Sequence, residues 1–420
     1  MKNSEKIIIL FIFFLFSSLS TSSASTPDIL SDSILSDNAT ISVLTFGAAN
    51  EPHSVWGHTA IRIKDKDQGI DEVYNYGMFD FDAPFFLIKF LRGKLDYSLA
   101  HNNYKDIYRY YKYYKRDMYE QVLNLNYNEK LRLYGLLIEN YKKENRFYKY
   151  DFFFDNCSTR PLHIIEKCLE GKLIISNTKT KKTFRELLDK QIANHQWMDF
   201  GIDLIIGAKA DKFPTVRQSV FLPPELMKFF SKAKISSKPS LGDMKSNKTV
   251  IKKLVKNEKI IFEFDDTGIV LPKLLYPIWI FTFFFLLEII ILVYSYKKRT
   301  IIFKWYDKLW FFIAFIGGLL VTFLWFFTDH QATKDNWNFI WINPLFVFVF
   351  FKSGKYKSIL INLVSILLFT TLIGFSFFPQ EMHPAIIPII GILLLKVSKY
   401  GVLKTSFSKK YLSTKSLNKI

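Results

Sequence analysis

The distribution of apolar residues along the chain constrains its fold more than any other feature of the sequence. Beyond Leu271 the chain is apolar in five bursts separated by short polar loops, whereas the region before it has a mixed composition. A chain of 420 residues with 43 phenylalanines and 22 tyrosines must bury these rings in protein or lipid, which excludes a disordered protein. The bursts predict transmembrane helices at Tyr276 to Tyr296, Leu309 to Thr328, Phe339 to Phe351, Ile359 to Phe378 and Ala385 to Val397.

The basic residues between the bursts predict how the helices are oriented. The formal net charge is +19, and the segment from Lys297 to the end contains sixteen Lys and Arg residues against four acidic ones. Alternate loops are rich in Lys and Arg, while the others contain only Lys334, as expected if the basic loops face the cytoplasm. We therefore expect five spans, an external N-terminal domain and a cytoplasmic C-terminus. This charge follows membrane topology, so no nucleic-acid partner is expected.

The N-terminus has the pattern of a secretory signal peptide over residues 1–24. Lys2 and Lys6 precede an apolar run from Ile7 to Phe16, and Ser22 and Ala24 fit a cleavage site. An uncleaved anchor is the alternative, and it would leave the next domain on the same side. The predicted organisation is an extracytoplasmic domain at 25–230, a weakly ordered linker at 231–271, a transmembrane domain at 272–400 and a basic tail at 401–420.

The extracytoplasmic region has the pattern of an α+β domain. Short β-branched runs at Ile41 to Phe46, Thr59 to Ile63 and Glu72 to Tyr76 are separated by glycines, which predicts strands. Asn128 is a plausible cap for a helix that follows it, and a second helix is predicted from Ser158 to Gly171.

Two short strings in this domain contain the residues of a nucleophile and base pair. Cys157 lies in Asp-Asn-Cys-Ser-Thr-Arg at a predicted helix start, where unpaired backbone N–H groups and the helix dipole are expected to lower a thiol pKa. His58 follows Trp56 and Gly57 at the start of a predicted strand and is the candidate base. The order, His before Cys, is the reverse of that in papain. Cys168, the other cysteine, lies on the apolar face of its helix and is expected in the core.

The chain resembles the circularly permuted papain-like group that includes lecithin:retinol acyltransferase, and more closely the Lnb-type lipoprotein N-acyltransferases. The matching strings are Trp56 to Thr59, Tyr74 to Phe81, Phe90 to Gly93, Asp151 to Arg160 and, in the tail, Asp329 to Asn338. The resemblance implies a permuted papain-like domain followed by an all-α transmembrane domain in the bacterial inner membrane. It also implies transfer of a fatty acyl chain from a membrane phospholipid, through a Cys157 thioester, to the N-terminal amine of a diacylated lipoprotein.

Other readings of the same residues stay open. A tethered cysteine peptidase or amidase acting on cell-wall peptides would use the same pair, and a non-catalytic scaffold would not depend on the thiol. No cofactor is expected, and His53 with His58 is a weak metal pair. Interleaved tyrosines and basic residues from Tyr97 to Tyr119 suit a lipid headgroup layer or a partly buried helix.

Supporting roles are predicted for several further polar residues. The group that orients His58 is Asn75, Tyr76 or Asp80, which the sequence does not separate, and Asn156 is expected to support the cysteine loop. Arg160 either holds a phosphate or pairs with Asp155. Lipid or acceptor binding is predicted for Trp56, His330, Asn336 and Asn338, with helix capping as the alternative for the last three.

Overall fold

The computed structural model describes residues 35–49, 51, 54–175, 178–237, 250–264, 271–298, 300, 302–350 and 355–399. All of them fall within a single unit that begins at Leu35. The predicted signal peptide, the basic tail and His53 lie outside the described residues.

The N-terminal domain is built on a seven-stranded antiparallel sheet in the order β10-β5-β1-β2-β3-β4-β6. The strand register places His58 opposite Phe46 of β1 and Ala60 opposite Asn75 of β3. The three strands predicted from β-branched runs are confirmed. The strands are β1 (Thr40–Phe46), β2 (His58–Asp65), β3 (Ile70–Met78), β4 (Asp96–Asn103), β5 (Met118–Leu123), β6 (Phe147–Lys149) and β10 (Val255–Phe262).

Alternation along the central strands buries both faces of this sheet. In β1, Ile41 and Val43 point to one apolar cluster, while Leu44 and Phe46 point to another on the opposite face. The first face is covered by α3 (Tyr127–Tyr141), α4 (Thr159–Cys168) and α8 (Pro223–Lys232), and the second by α2 (Tyr104–Tyr113). The sheet therefore lies between two layers of helix.

The helix boundaries follow local capping. The predicted cap Asn128 is wrong, because α3 begins after Asn126, whose side chain accepts from the backbone N–H of Glu129 in a reciprocal capping box. The predicted helix at Ser158 is confirmed as α4, whose buried face includes Leu162, Ile165 and Cys168.

The predicted weakly ordered linker at 231–271 is wrong for residues 234–237 and 250–262, which form strands, while residues 238–249 lie outside the described part of the chain. Strand β10 pairs with β5 and extends the main sheet, and β8 (Lys234–Ser237) and β9 (Val250–Lys253) form a second sheet with β7 (Lys172–Ile174). Most of β10 is exposed at the sheet edge, so its lysines and glutamate conceal the alternation on which strand prediction depends.

The N-terminal part of the chain also contains four short helices. They are α1 (Phe86–Leu91), α5 (Phe184–Ile192), α6 (Gln196–Ile205) and α7 (Val216–Ser219), and 3₁₀ turns lie at Ala208–Asp211 and Lys273–Leu275. Two longer helices follow, α9 (Pro277–Lys297) and α10 (Lys304–Phe326), and both are long and apolar enough to cross a membrane.

The three remaining predicted spans form shorter apolar segments. Helices α11 (Lys355–Gly374) and α12 (Ile386–Ser398) cover the last two, and their crossing of the membrane stays a prediction. The span predicted at Phe339 to Phe351 is not an α-helix in its described part. It consists of 3₁₀ turns at Trp337–Ile340 and Pro344–Phe350, and Pro344, which has no N–H, begins the second turn instead of continuing the first.

Candidate active site

The backbone around Cys157 is fixed by the side chain of Asn156. Its Oδ1 accepts from the N–H groups of Ser158 and Thr159 at 2.8 and 3.0 Å. Its Nδ2 donates to the carbonyls of Phe152 and Phe221 at 2.7 and 2.8 Å. Asn156 is buried, and it holds the cysteine at the first turn of α4 against two other segments of the chain.

Cys157 lies against the neighbouring ends of β2 and β3. Its sulfur accepts hydrogen bonds from the backbone of Thr59 and from the Tyr150 hydroxyl, and the hydroxyls of Thr59 and Ser158 lie 3.2 Å apart. Gly77 of β3 lies directly beside the cysteine, because a Cβ there would be in van der Waals contact with the Cβ of Cys157, at 3.4 Å. Its φ of +90° is also one that glycine adopts readily.

His58 begins β2, directly before the residue whose N–H contacts the thiol. Its ring stacks on Phe46 at a centroid distance of 5.9 Å, and its Nε2 lies 3.3 Å from Oδ1 of Asn75. The Asn75 amide nitrogen donates to Oδ1 of Asn102 at 2.9 Å, so the oxygen of Asn75 faces the imidazole. This arrangement places the proton on Nε2 and leaves the lone pair on Nδ1.

Burial keeps the imidazole neutral. Burial and, to a smaller extent, the nearby positive charge of Arg116 lower the pKa of His58 to about 4, while the hydrogen bond with Asn75 opposes part of this shift. Arg116 is held in place by the Gly47 carbonyl, at 2.9 and 3.2 Å, and by the ring of Tyr111. At neutral pH His58 is therefore a free base ready to accept a proton.

The expectation of a lowered thiol pKa is wrong for the resting protein. Burial raises the pKa of Cys157, and the hydrogen bonds from Thr59, Ser158 and Tyr150 offset only part of this effect. The loss of solvation of the charged sulfur raises the thiol pKa by more than the position near a helix N-terminus lowers it. The site at rest thus contains a neutral thiol and a neutral imidazole, not a preformed ion pair.

Two of the three candidates for orienting His58 lie elsewhere. The Tyr76 hydroxyl donates to Asn140 at 2.7 Å within the core. Asp80 is exposed and accepts from the backbone N–H of Asp82 in a turn. Asn75 is the candidate whose side chain reaches the imidazole.

Arg160 forms the structural pair. Its Nε and Nη2 donate to the two carboxylate oxygens of Asp155 at 2.6 and 2.8 Å, and its guanidinium lies 3.4 Å from the ring centroid of Tyr148. These contacts tie the first turn of α4 to the loop before Cys157.

Trp56 packs beneath the cysteine loop. Its ring meets Phe152 edge to face at 4.9 Å, in an apolar cluster that also contains Phe221 and Ala332. Ala332 belongs to the loop after α10, so this cluster joins the cysteine loop to the membrane domain.

The predicted lipid or acceptor residues of the membrane domain contact the soluble domain instead. Asn336 accepts from the N–H of Asn338, and both side chains donate to the carbonyl of Leu204 at the end of α6. Both side chains are buried, and Asn336 caps the 3₁₀ turn at Trp337–Ile340, as the capping alternative predicted for it. His330 Nε2 lies 2.9 Å from the carbonyl of Phe90.

Sequence reasoning did not identify Asn102, Tyr150 or Arg116 as part of the site. Asn102 lies on β4 and Tyr150 follows β6, so only the strand pairing brings them to Cys157 and His58. Arg116 does lie in the Tyr97 to Tyr119 segment, whose aromatic and basic pattern was the available signal.

An acidic cluster lies apart from this pair. Carboxylate oxygens of Asp189, Asp199 and Asp203 lie within 4.8 Å of one another, and buried Arg185 pairs with Asp203 and Asp211. Burial and the neighbouring carboxylates raise the pKa of Asp189 to about 8 and that of Asp203 to about 7. Arg185 and bound protons therefore neutralise much of the cluster's charge.

Comparison with known families covers both parts of the chain. A family model described as the Lnb N-terminal periplasmic domain matches residues 25–190, and one described as the Lnb transmembrane domain matches residues 270–406. No curated protein and no solved structure matches the chain. The chain therefore belongs to the Lnb family, as a membrane protein with a periplasmic N-terminal domain followed by a transmembrane domain.

Proposed function

We propose that this protein is a lipoprotein N-acyltransferase that works through an acyl thioester on Cys157. The observation that carries the proposal is that Thr59, which follows His58 at the start of β2, bonds to the sulfur of Cys157 through its backbone while Asn75 contacts the His58 ring, in a periplasmic domain attached to a membrane domain. The resemblance of the quoted motifs to Lnb-type enzymes supplies the reaction class. The soluble fold proposed is permuted papain-like.

The first half-reaction loads the enzyme. Nδ1 of His58 accepts the thiol proton as the sulfur of Cys157 attacks an ester carbonyl of a membrane phospholipid. The ester C–O bond breaks, the imidazolium returns its proton to the departing oxygen, and a lysophospholipid leaves. Because thiol and imidazole are neutral at rest, charge develops only as the substrate reacts.

Hydrogen-bond donors already surround the sulfur. The N–H of Thr59 and the hydroxyls of Ser158 and Tyr150 contact it, whereas the N–H groups of Ser158 and Thr159 at the start of α4 bond to Oδ1 of Asn156. In a buried site, such fixed donors stabilise negative charge as it forms on the sulfur or on the adjacent oxyanion.

The second half-reaction unloads the enzyme. The α-amine of an S-diacylglyceryl-cysteine attacks the thioester carbonyl, the C–S bond breaks, and an amide forms. The thiolate takes back one proton through His58, which restores the neutral pair. No cofactor or metal participates in this scheme.

The membrane domain brings both lipid substrates to one surface. We place the protein in the inner membrane with five spans and a cytoplasmic C-terminus, following the distribution of Lys and Arg. An acyl chain then reaches Cys157 from the bilayer without crossing water.

Intact mass spectrometry of a lipoprotein N-terminal peptide tests the proposal. Cells with the protein should yield the triacylated peptide, and cells with Cys157→Ala should yield the diacylated form at equal protein abundance. Cys168→Ala is the matched control and should retain triacylation. Unchanged acylation with Cys157→Ala would contradict the proposal, and release of cell-wall peptides by the wild type would favour the peptidase alternative.

A further inference from the structure

Helix α1 presents an apolar surface to the outside of the protein. None of its side chains is buried, and Phe85, Leu87, Ile88 and Phe90 are all exposed. The sequence of the helix is Phe-Leu-Ile-Lys-Phe-Leu, so only Lys89 is polar. Contiguous apolar surface of this kind on a soluble domain marks a binding site for protein or lipid. We call these four exposed residues the α1 ridge.

The rings on this helix are packed in a row rather than scattered. Phe90 stacks on Phe86 at 6.0 Å between centroids, and Phe86 stacks on Phe79 at 5.8 Å. The row continues inward, because Phe79 meets Tyr97 at 5.2 Å and Tyr97 stacks on Tyr150 at 4.5 Å. We call these five residues the aromatic row.

The inner end of the aromatic row, Tyr150, contacts the candidate nucleophile. The hydroxyl of Tyr150 bonds to the sulfur of Cys157. A Cβ on Gly77 would lie 3.5 Å from the Tyr150 ring and 3.4 Å from the Cβ of Cys157. One continuous line of rings therefore connects the exposed α1 ridge to the thiol.

The outer end of the aromatic row, at Phe90, lies beside the loop that follows the apolar helix α10. The carbonyl of Arg92 accepts from the N–H of Asp329 at 3.0 Å, and the carbonyl of Phe90 lies 2.9 Å from His330 Nε2. Gly93 packs so closely that a Cβ would lie 3.2 Å from the backbone nitrogen of His330. Asp329 and His330 follow the end of α10 at Phe326 by only three and four residues.

This attachment favours lipid as the partner. The neighbouring Phe326 and Phe327 at the end of α10 are also exposed, which is expected where a helix meets the bilayer. A segment bonded to that helix end lies at the same depth. Lys89 and Arg92 accompany the apolar residues, and such cations suit lipid phosphates.

We propose that the α1 ridge is inserted in the periplasmic leaflet of the membrane and that the aromatic row guides an acyl chain of a bilayer lipid from this leaflet to Cys157. The insertion is independent of the reaction, whereas the guiding role rests on the proposed acyl transfer.

Insertion is tested with a fluorescent label at position 88 in the full-length protein. Ile88→Cys is made in the Cys157→Ala background, where the remaining Cys168 is buried, and the protein is placed in phospholipid nanodiscs. Ile251→Cys is the control, because Ile251 is exposed to 58% against 56% for Ile88 but lies on β9. Lipids with a spin label in the acyl chain should quench the label at 88 several times more strongly than the label at 251. Equal quenching at the two positions would overturn the insertion.

The guiding role is tested by comparing two acyl donors. Phe86→Glu, in the middle of the aromatic row, should lower acylation of Cys157 from phospholipid vesicles by about tenfold or more and should lower acylation from a water-soluble short-chain thioester far less. Ile251→Glu is the control and should change neither rate. Equal loss with both donors, or loss with neither, would overturn the guiding role. If the wild type is not acylated from vesicles while the label at 88 is quenched, the acyl transfer fails and the insertion stands.

Discussion

The two cysteines lie at opposite ends of the same helix and differ in what surrounds the sulfur. At the C-terminal end of α4, Cys168 is fully buried and its thiol donates to the carbonyl of Ile165 at 3.0 Å. At the N-terminal end, Cys157 is partly exposed and its sulfur accepts from Thr59 and Tyr150. A hydrogen bond donated by the thiol stabilises its protonated form. Hydrogen bonds accepted by the sulfur stabilise the thiolate.

This difference comes from the segments that surround each sulfur. The last turn of a helix presents unpaired carbonyls, and that of Ile165 accepts from Cys168. Burial raises the pKa of both thiols, to about 12 for Cys168, but at Cys157 it is opposed by donors from Thr59 of β2, from Ser158 and from Tyr150 after β6. Donors supplied by other segments, more than burial, separate the reactive candidate from the core residue.

Substitution of the cysteines at the two ends of α4 should give the largest difference in N-acylation activity. Cys157→Ala and His58→Ala should each reduce N-acylation by about 10³-fold or more, because nucleophile and base act as one unit, and the double variant should lose little beyond either. Cys168→Ala should keep the activity and lose only packing energy. Initial rates with a diacylated lipopeptide, at matched protein abundance, measure both. An equal loss for Cys168→Ala would assign the chemistry to the wrong end of the helix.

Substitution of Asn75 should give the next effect. Asn75→Ala should lower the rate by about 10²-fold, since the imidazole loses the contact that fixes its orientation. In the wild type, activity should fall as the pH drops through about 4, where His58 becomes protonated. Asn75→Asp places a negative charge beside the ring and raises the pKa of His58, so this acid limb should move to higher pH. A limb that does not move in the pH profile of kcat/KM would remove Asn75 from the site.

Alkylation as a function of pH should distinguish a neutral pair from an ion pair. With both groups neutral at rest, the rate of Cys157 alkylation by iodoacetamide should rise about tenfold per pH unit from pH 6 to beyond pH 8. The rate for Cys168 should stay far lower throughout because it is buried. Peptide mapping by mass spectrometry separates the two sites. Fast alkylation of Cys157 that is independent of pH between 6 and 8 would show a thiolate already formed.

Two glycines near the ends of α4 should give the smallest and most selective effects. Gly77→Ala places a non-glycine residue at φ +90°, which costs about 1–2 kcal/mol, and the strained backbone lies in contact with Cys157, so activity should fall several-fold. Gly171→Ala would bring a Cβ to 2.3 Å from the carbonyl oxygen of Ser236 and should lower the melting temperature while sparing the activity per folded molecule. Thermal unfolding in detergent, with rates corrected for the folded fraction, compares them. Similar losses of activity in both variants would mean that Gly77 has only a structural role.

The parts of the fold predicted from sequence are those with strong local patterns. The runs before and after Gly57 are rich in β-branched residues and bounded by glycines, and they form strands, while α4 begins where a polar loop meets an apolar face. The edge strand β10 could not be predicted, because its exposed residues carry no alternation. The 3₁₀ turns after Asn336 were likewise hidden by their high apolar content.

The candidate site could be predicted only in part for a similar reason. Cys157 and His58 each lie in a short sequence motif whose residue types alone indicate a nucleophile and a base. The choice of Asn75 over Tyr76 depends on which face of β3 each side chain occupies, and that is set by pairing with β2. His330 contacts the carbonyl of Phe90, 240 positions away in sequence, and only the packed structure reveals that contact.

A trapped acyl-enzyme tests the central claim most directly. Full-length protein incubated with phospholipid and no amine acceptor should gain the mass of one fatty acyl group on the peptide that contains Cys157, and neutral hydroxylamine should remove it. The adduct should be absent from Cys157→Ala, should discharge to a diacylated lipopeptide with a free amine, and should persist with the N-acetylated lipopeptide, whose nitrogen is not nucleophilic. An adduct that maps to another residue, resists hydroxylamine or discharges equally to the blocked peptide would contradict the account.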